Sequence, residues 1–290
     1  MFENISQTID NLIVSLLYLV LGFILFFIGK IIFQIVNKGI NVNHELVEKD
    51  NLAFALSNVG YYIGLLLAIG AAMSNELFGT HIWRNLLDVT VMGALAIVLL
   101  NISALINDKL ILRKFSVRKE IIDDQNAGTG VIEAANYIAT GLILNGVLRE
   151  NSEAYYEVVI LFVIAQLAMI LVSRVYNLII PYDIHDEIEK DNAAVGIGVA
   201  GAMIAIANLI AYGVSLESNT WIETGKILII ETGIGLLILP LVRLITDKIL
   251  LPGQNLTDEI VNQEKPNIGA AIIEAFAYIG GSAMIIWSFS

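Results

Sequence analysis

Apolar residues in this chain come in long unbroken stretches, each closed by a cluster of charged and polar positions, and such stretches recur eight times. A helix rises about 1.5 Å per residue, so roughly twenty apolar residues cross a hydrocarbon layer ~30 Å thick. The pattern predicts spans over 11–36, 52–73, 86–106, 127–148, 155–180, 193–214, 227–251 and 268–289. The segments between them are too short for an extramembrane domain with its own core. The first stretch has neither a basic n-region nor a small-residue cleavage site, so it is expected to stay as a span. The expected fold is all-α: a polytopic integral membrane protein with eight transmembrane helices arranged as four hairpins.

The polar positions repeat as well. "EKDN" at 48–51 returns at 189–192, and His44 falls on His185 at the same separation. "NAGTGVIEAANYIA" at 126–139 and "NIGAAIIEAFAYIG" at 267–280 match at seven of fourteen positions, again with that separation. The second half therefore reads as a copy of the first, with domains at 1–148 and 149–290. Each half has an even number of spans, so both insert the same way and form a parallel two-fold duplication. A finer unit appears inside each half: an odd span, a charged preface, an asparagine, then an even span. The asparagines Asn51, Asn126, Asn192 and Asn267 stand where helix N-caps belong, with side-chain oxygens able to accept from free backbone N–H groups.

Composition agrees with a membrane setting. The 290 residues are 57% hydrophobic and 15% charged, with a mean hydropathy of +0.77. Thirteen of the 16 Lys and Arg residues lie in or beside the connections after spans 1, 3, 5 and 7. By the positive-inside rule those loops face the cytoplasm and both termini face outward. With no cysteine, disulfides, thiolate metal sites and cysteine nucleophiles are excluded. Fourteen of the 23 glycines fall in the even spans. Lipid supplies no hydrophobic drive for helix association, so small residues that permit close approach place the even helices inside and the odd ones at the rim.

Against that apolar background two acids stand out. Glu133 and Glu274 each lie seven residues into an even span, about 10 Å along the helix. A charged carboxylate there is costly unless solvated or paired, and protonation is the alternative. Tyr137 and Tyr278 follow four residues later on the same face. The first hairpin has Asn58 and Tyr62 at the corresponding places, and the third has Val199 and Met203. Symmetry is expected to gather these four positions around the centre as a proton- or cation-binding site. The alternative is that the acids are hydrogen-bond donors that fix packing. Arg174 and Arg243, toward span ends, are expected to snorkel to water. Asn101, Asn145, Gln166 and Asn208 are expected to bond between helices. His44 and His185 read as part of a solvated loop.

The hairpin plan and the "IEAxxYI" signature at 132–138 and 273–279 resemble the YjfL-like bacterial inner-membrane proteins, a domain of unknown function (DUF350), in two tandem copies that cover essentially the whole chain. The resemblance implies the bacterial cytoplasmic (inner) membrane and carries no established chemistry.

No nucleophile elbow, phosphate loop, metal-protease pair or dinucleotide fingerprint occurs, so the chain is expected not to be an enzyme, to need no cofactor or metal, and to bind no nucleic acid. The expected partners are the lipid bilayer and a small cation or proton, with room for a homo-oligomer or a protein partner at the cytoplasmic loops. The leading functional reading is a small transporter or channel, proton- or cation-linked, that uses Glu133, Glu274, Tyr137, Tyr278, Asn58 and Tyr62. The alternative is a non-transporting scaffold or stress-related component that docks partners through acidic loops.

Overall fold

The computed structural model describes residues 2–74, 81–112, 114, 116–150, 155–216, 220–251 and 253–289, with side chains from 11 onward except those of 149 and 150. In chain order the helices are α1 (Phe2–Val36), α2 (Leu52–Ser74), α3 (Ile82–Ile106), α4 (Val117–Ile122), α5 (Ala127–Glu150), α6 (Tyr155–Ile179), α7 (Ile184–Ile188), α8 (Ala193–Ser215), α9 (Trp221–Ile245), α10 (Leu256–Ile260) and α11 (Ile268–Phe289). Among the described residues there are no strands. Among the same residues eight helices are long and apolar enough to cross a membrane. Helices α3 and α9 continue through π-helical turns at Asn107–Ile111 and Thr246–Leu250, and a third such turn, His44–Glu48, precedes α2. The third and seventh spans begin at Ile82 and Trp221, earlier than their apolar runs, because a helix does not stop where hydropathy falls at a membrane interface.

The short elements before the even spans act as prefaces. Each of the four asparagines caps its helix: the side-chain oxygens of Asn51, Asn126, Asn192 and Asn267 accept from the backbone N–H of Phe54, Thr129, Val195 and Ala270 at 3.0–3.2 Å. Their amide nitrogens do more than the sequence suggests. Asn51 donates to Glu45 and to the Ile121 carbonyl, Asn126 to Glu120 and the Ile188 carbonyl, and Asn192 to Glu187 and the Ile260 carbonyl. Each of these three caps thus ties its hairpin to the preface of the next. Asn267, in the last hairpin, donates to Glu259 within its own hairpin.

The even helices pack in a row, α2 on α5, α5 on α8, and α8 on α11. Glycine sets the distance. A Cβ at Gly60 would run into Ala134, and one at Gly201 would run into Ala275, the equivalent pair in the second half. Gly130 lies against Ala53 as Gly196 lies against Gly128, so the α5–α8 contact copies the α2–α5 contact. Asn145 to the Leu67 carbonyl and Asn208 to Ser282 add polar ties between neighbours in the row.

This row corrects two expectations. The four positions do not surround one centre, because α11 packs on α8 and not on α2. An interface repeated with one register consumes one face of each helix and presents the opposite face to the next, which builds a line. The last even helix is also not interior: α5 and α8 are each 78% buried over their apolar windows, whereas α11 is 28% buried. Its outward side carries Ile272, Phe276, Met284 and Trp287, all exposed.

Introducing Gly201→Leu should push α8 off α11 and cost about 1–3 kcal/mol or more, read as a lower unfolding temperature in detergent. Gly233, with no atom near its missing Cβ, should accept Ala with no loss.

Candidate functional site

The two acids sit on even helices next to the prefaces, in separate packing zones. Glu133 on α5 is buried and accepts a 2.6 Å hydrogen bond from the Asn107 amide in the π-turn of α3. The Tyr137 hydroxyl also reaches it. The Tyr137 ring meets Tyr61 edge-on at 5.1 Å, with Phe33 beyond. Tyr61 donates to the Gly29 carbonyl and accepts from Asn101, tying α1, α2 and α3 together. Among the described residues no basic side chain bonds to Glu133.

Glu274 on α11 is fully buried and has a different company. Arg243 of α9 donates from Nη1 to its Oε1, and Tyr278 donates to the same oxygen at 3.0 Å. The other guanidinium nitrogen, Nη2, holds Thr257 Oγ1 in α10, and the group lies 5.7 Å from the Tyr182 ring. Gly198 of α8 makes room for the carboxylate, since a Cβ there would stand 2.6 Å from Oε2. The Tyr278 hydroxyl is also 3.5 Å from that of Tyr176 on α6. With Tyr278 donating to the acid, Tyr176 is the donor in that second link.

Tyr176 opens onto a cavity of ≈ 140 Å³ between α6, α8 and the end of α3. Val199 and Met203, the third hairpin's counterparts of the acid and tyrosine, line it. At its rim Lys114 holds Asp183 and Asp186 at 2.7 and 3.1 Å. The lysine beside it draws the Asp183 carboxyl down to about 2. The His185 Nε2 is 3.0 Å from the Ile111 carbonyl, so the ring is a loop-to-helix tie and not the solvated group expected.

The first hairpin's positions divide. Asn58 is buried, and its Oδ1 has no hydrogen-bond partner among the described residues. Tyr62 turns away from Tyr137 and packs at 5.4 Å on Phe26; the aromatic facing Tyr137 is its neighbour, Tyr61. The single-residue difference arises because α2 uses Tyr61 to reach α1 and α3. Arg243 corrects the snorkelling expectation: a carboxylate on the adjacent helix gives it a partner closer than water. Arg174 crosses to the Leu110 carbonyl at 2.7 Å. Asn107, Tyr61 and Tyr176 had no motif to mark them, although "NDK" at 107–109 against "TDK" at 246–248 would have placed Arg243 one turn before the matching turn. Among the described residues no three His, Asp or Glu side chains converge as a metal site.

A family profile described as Domain of Unknown Function (DUF350) matches residues 7–148 and again 151–289. The chain belongs to the DUF350 family. Each DUF350 copy carries one glutamate–tyrosine pair of this kind, on its last span. The chain is also 20% identical, over 176 residues, to a UPF0719 transmembrane protein of Aquifex aeolicus (strain VF5), covering 59% of this chain and 62% of that one, less than two thirds of the relative's length. No solved structure matches. This DUF350 protein is thus a multi-pass membrane protein whose two copies hold their acid in different ways, one by an amide and one by a guanidinium.

Removing one partner of a buried ion pair strands the other charge. Arg243→Gln and Glu274→Gln should each cost about 3–5 kcal/mol, and the double variant should recover part of that loss in a detergent unfolding cycle. Additive losses would show the pair to be uncoupled. Outside the membrane, Asp183 has a depressed folded value, so its contribution is present above the ordinary carboxylate range and lost as pH falls toward about 2. Lys114→Ala should therefore lower stability slightly at neutral pH and flatten the acid limb, variant and wild type converging as pH falls toward about 2.

Proposed function

We propose that the chain is a small proton-linked transporter whose working acid is Glu274. The observation that carries the reading is the unbroken line of polar groups from the cavity between the halves, through Tyr176 and Tyr278, to Glu274 and Arg243. Two hydroxyls in series can pass a proton by each donating onward. Arg243 offsets the carboxylate's charge, which favours a proton over a metal cation as the species the site handles. Protonating Glu274 would weaken its hold on Arg243, coupling proton arrival to a shift of α9 against α11. Glu133, held by a neutral amide, serves as a second protonatable group in its own half. The acids work separately, one per copy, in place of the single shared site that symmetry suggested.

The rival reading, a non-transporting inner-membrane component that docks partners through acidic cytoplasmic loops, is favoured by the exposed acids Asp123, Asp124, Asp186, Glu189 and Asp191 on one end of the molecule. It requires that variants dead in transport assays still capture the partner, and that charge reversal across 183–191 abolish capture.

In proteoliposomes with an imposed pH gradient, Glu274→Gln and Tyr278→Phe should each lower proton-coupled flux by about tenfold or more. Wild-type flux through a folded Glu274→Gln protein would overturn the transport reading.

A further inference from the structure

The third hairpin breaks a pattern kept by the second and fourth. Where they place a glutamate and a tyrosine, it places Val199 and Met203, and there the interior holds an open cavity of ≈ 140 Å³. An apolar cavity of about 150 Å³ engineered into another protein admits benzene, which sets the scale of molecule that fits. The floor is apolar: Val199, Met203 and Ile206 of α8.

The rim is not. Lys114 is already paired with two aspartates. Arg174 also lines the cavity, and its hydrogen bond goes to a neutral carbonyl, that of Leu110. Among the described residues no carboxylate forms an ion pair with it. The guanidinium has donors left over, in a fork that suits a carboxylate.

We propose that this cavity binds a small monocarboxylate with a compact apolar body, a short-chain or aromatic acid. The carboxylate pairs with Arg174 at the rim, and the apolar part lies on Val199 and Met203. The ligand then supplies to the third hairpin the acid its sequence lacks. A carboxylate seated there is next to Tyr176, the entry to the line of hydroxyls leading to Glu274. As substrate class for a proton-linked carrier, a weak acid carries the charge that one proton offsets. Only this last step rests on the transport reading; binding itself does not.

The test is a titration of the purified full-length protein in nanodiscs with benzoate, followed by calorimetry. Saturable binding is expected, weakened about tenfold by Arg174→Gln, which removes a charge-assisted pair, and abolished by Val199→Phe, which fills the floor. Benzamide, of equal size without the charge, should bind less tightly than benzoate. Size-exclusion profiles and unfolding temperatures matching wild type exclude misfolding of either variant. No saturable binding by the wild type, or unchanged benzoate affinity in a folded Val199→Phe protein, overturns the proposal. Benzoate binding that persists in wild type and Glu274→Gln alike, with no flux in either, supports the cavity site and removes the transport reading alone.

Discussion

The structure depends on backbone approaching backbone. Four even helices come close enough that at Gly60, Gly130, Gly196 and Gly201 a methyl group would strike the neighbouring main chain or its first side-chain carbon. In lipid, where burying a leucine against another helix gains little over leaving it among acyl chains, such contact and the hydrogen bonds it permits are what remain to hold helices together. Three of the cap asparagines reinforce the same register from the loop side, each reaching the preface of the next hairpin through a backbone carbonyl. Repeating one interface gives a row, and the row decides everything about the site. It separates the two acids by a full helix.

That separation has let two copies of one motif diverge. Glu133 faces an amide, a phenol and an aromatic cluster; Glu274 faces a guanidinium, a phenol and a second tyrosine. The chemistry follows from what the odd helices supply. Helix α3 brings Asn107, and α9 brings Arg243 one turn earlier in the equivalent stretch. In the third hairpin the equivalent place holds Val199 and Met203 and no acid, and a cavity opens there beside Tyr176 of α6. One fold therefore carries three environments at related positions: amide-held acid, ion-paired acid, and open space.

Much of this was legible in the residues. The eight spans, the four caps and the duplicated acid–tyrosine pair were readable because each is local: a run length, a cap residue before a helix, a spacing of four. What escaped was set by contacts between distant segments. Arg243 looked like a snorkelling arginine because its partner lies on another helix, across a loop. Tyr61 and Tyr62 are indistinguishable in a list, and only the azimuth at which α2 meets α1 and α3 selects between them. The expectation of a central ring assumed that equal units must close; nothing in a repeat specifies closure over a line. The burial of α11 failed for the same reason, since α11 ends the line and packs on α8 and α9 with no further even helix beyond it.

A line built by repetition has two rims, and the rims here differ from the interior faces. Gly60 and Gly201 admit the following helix, and Ala135 occupies the matching place in α5; at that place α11 carries Phe276, 68% exposed. At the other end, where Ala134 and Ala275 meet those glycines, α2 carries Val59, also exposed. Ring and branched methyl stand where contact would demand hydrogen or a single carbon. A further helix could not approach either end of the row at the interior spacing, so neither rim offers the close backbone contact that joins the helices within it.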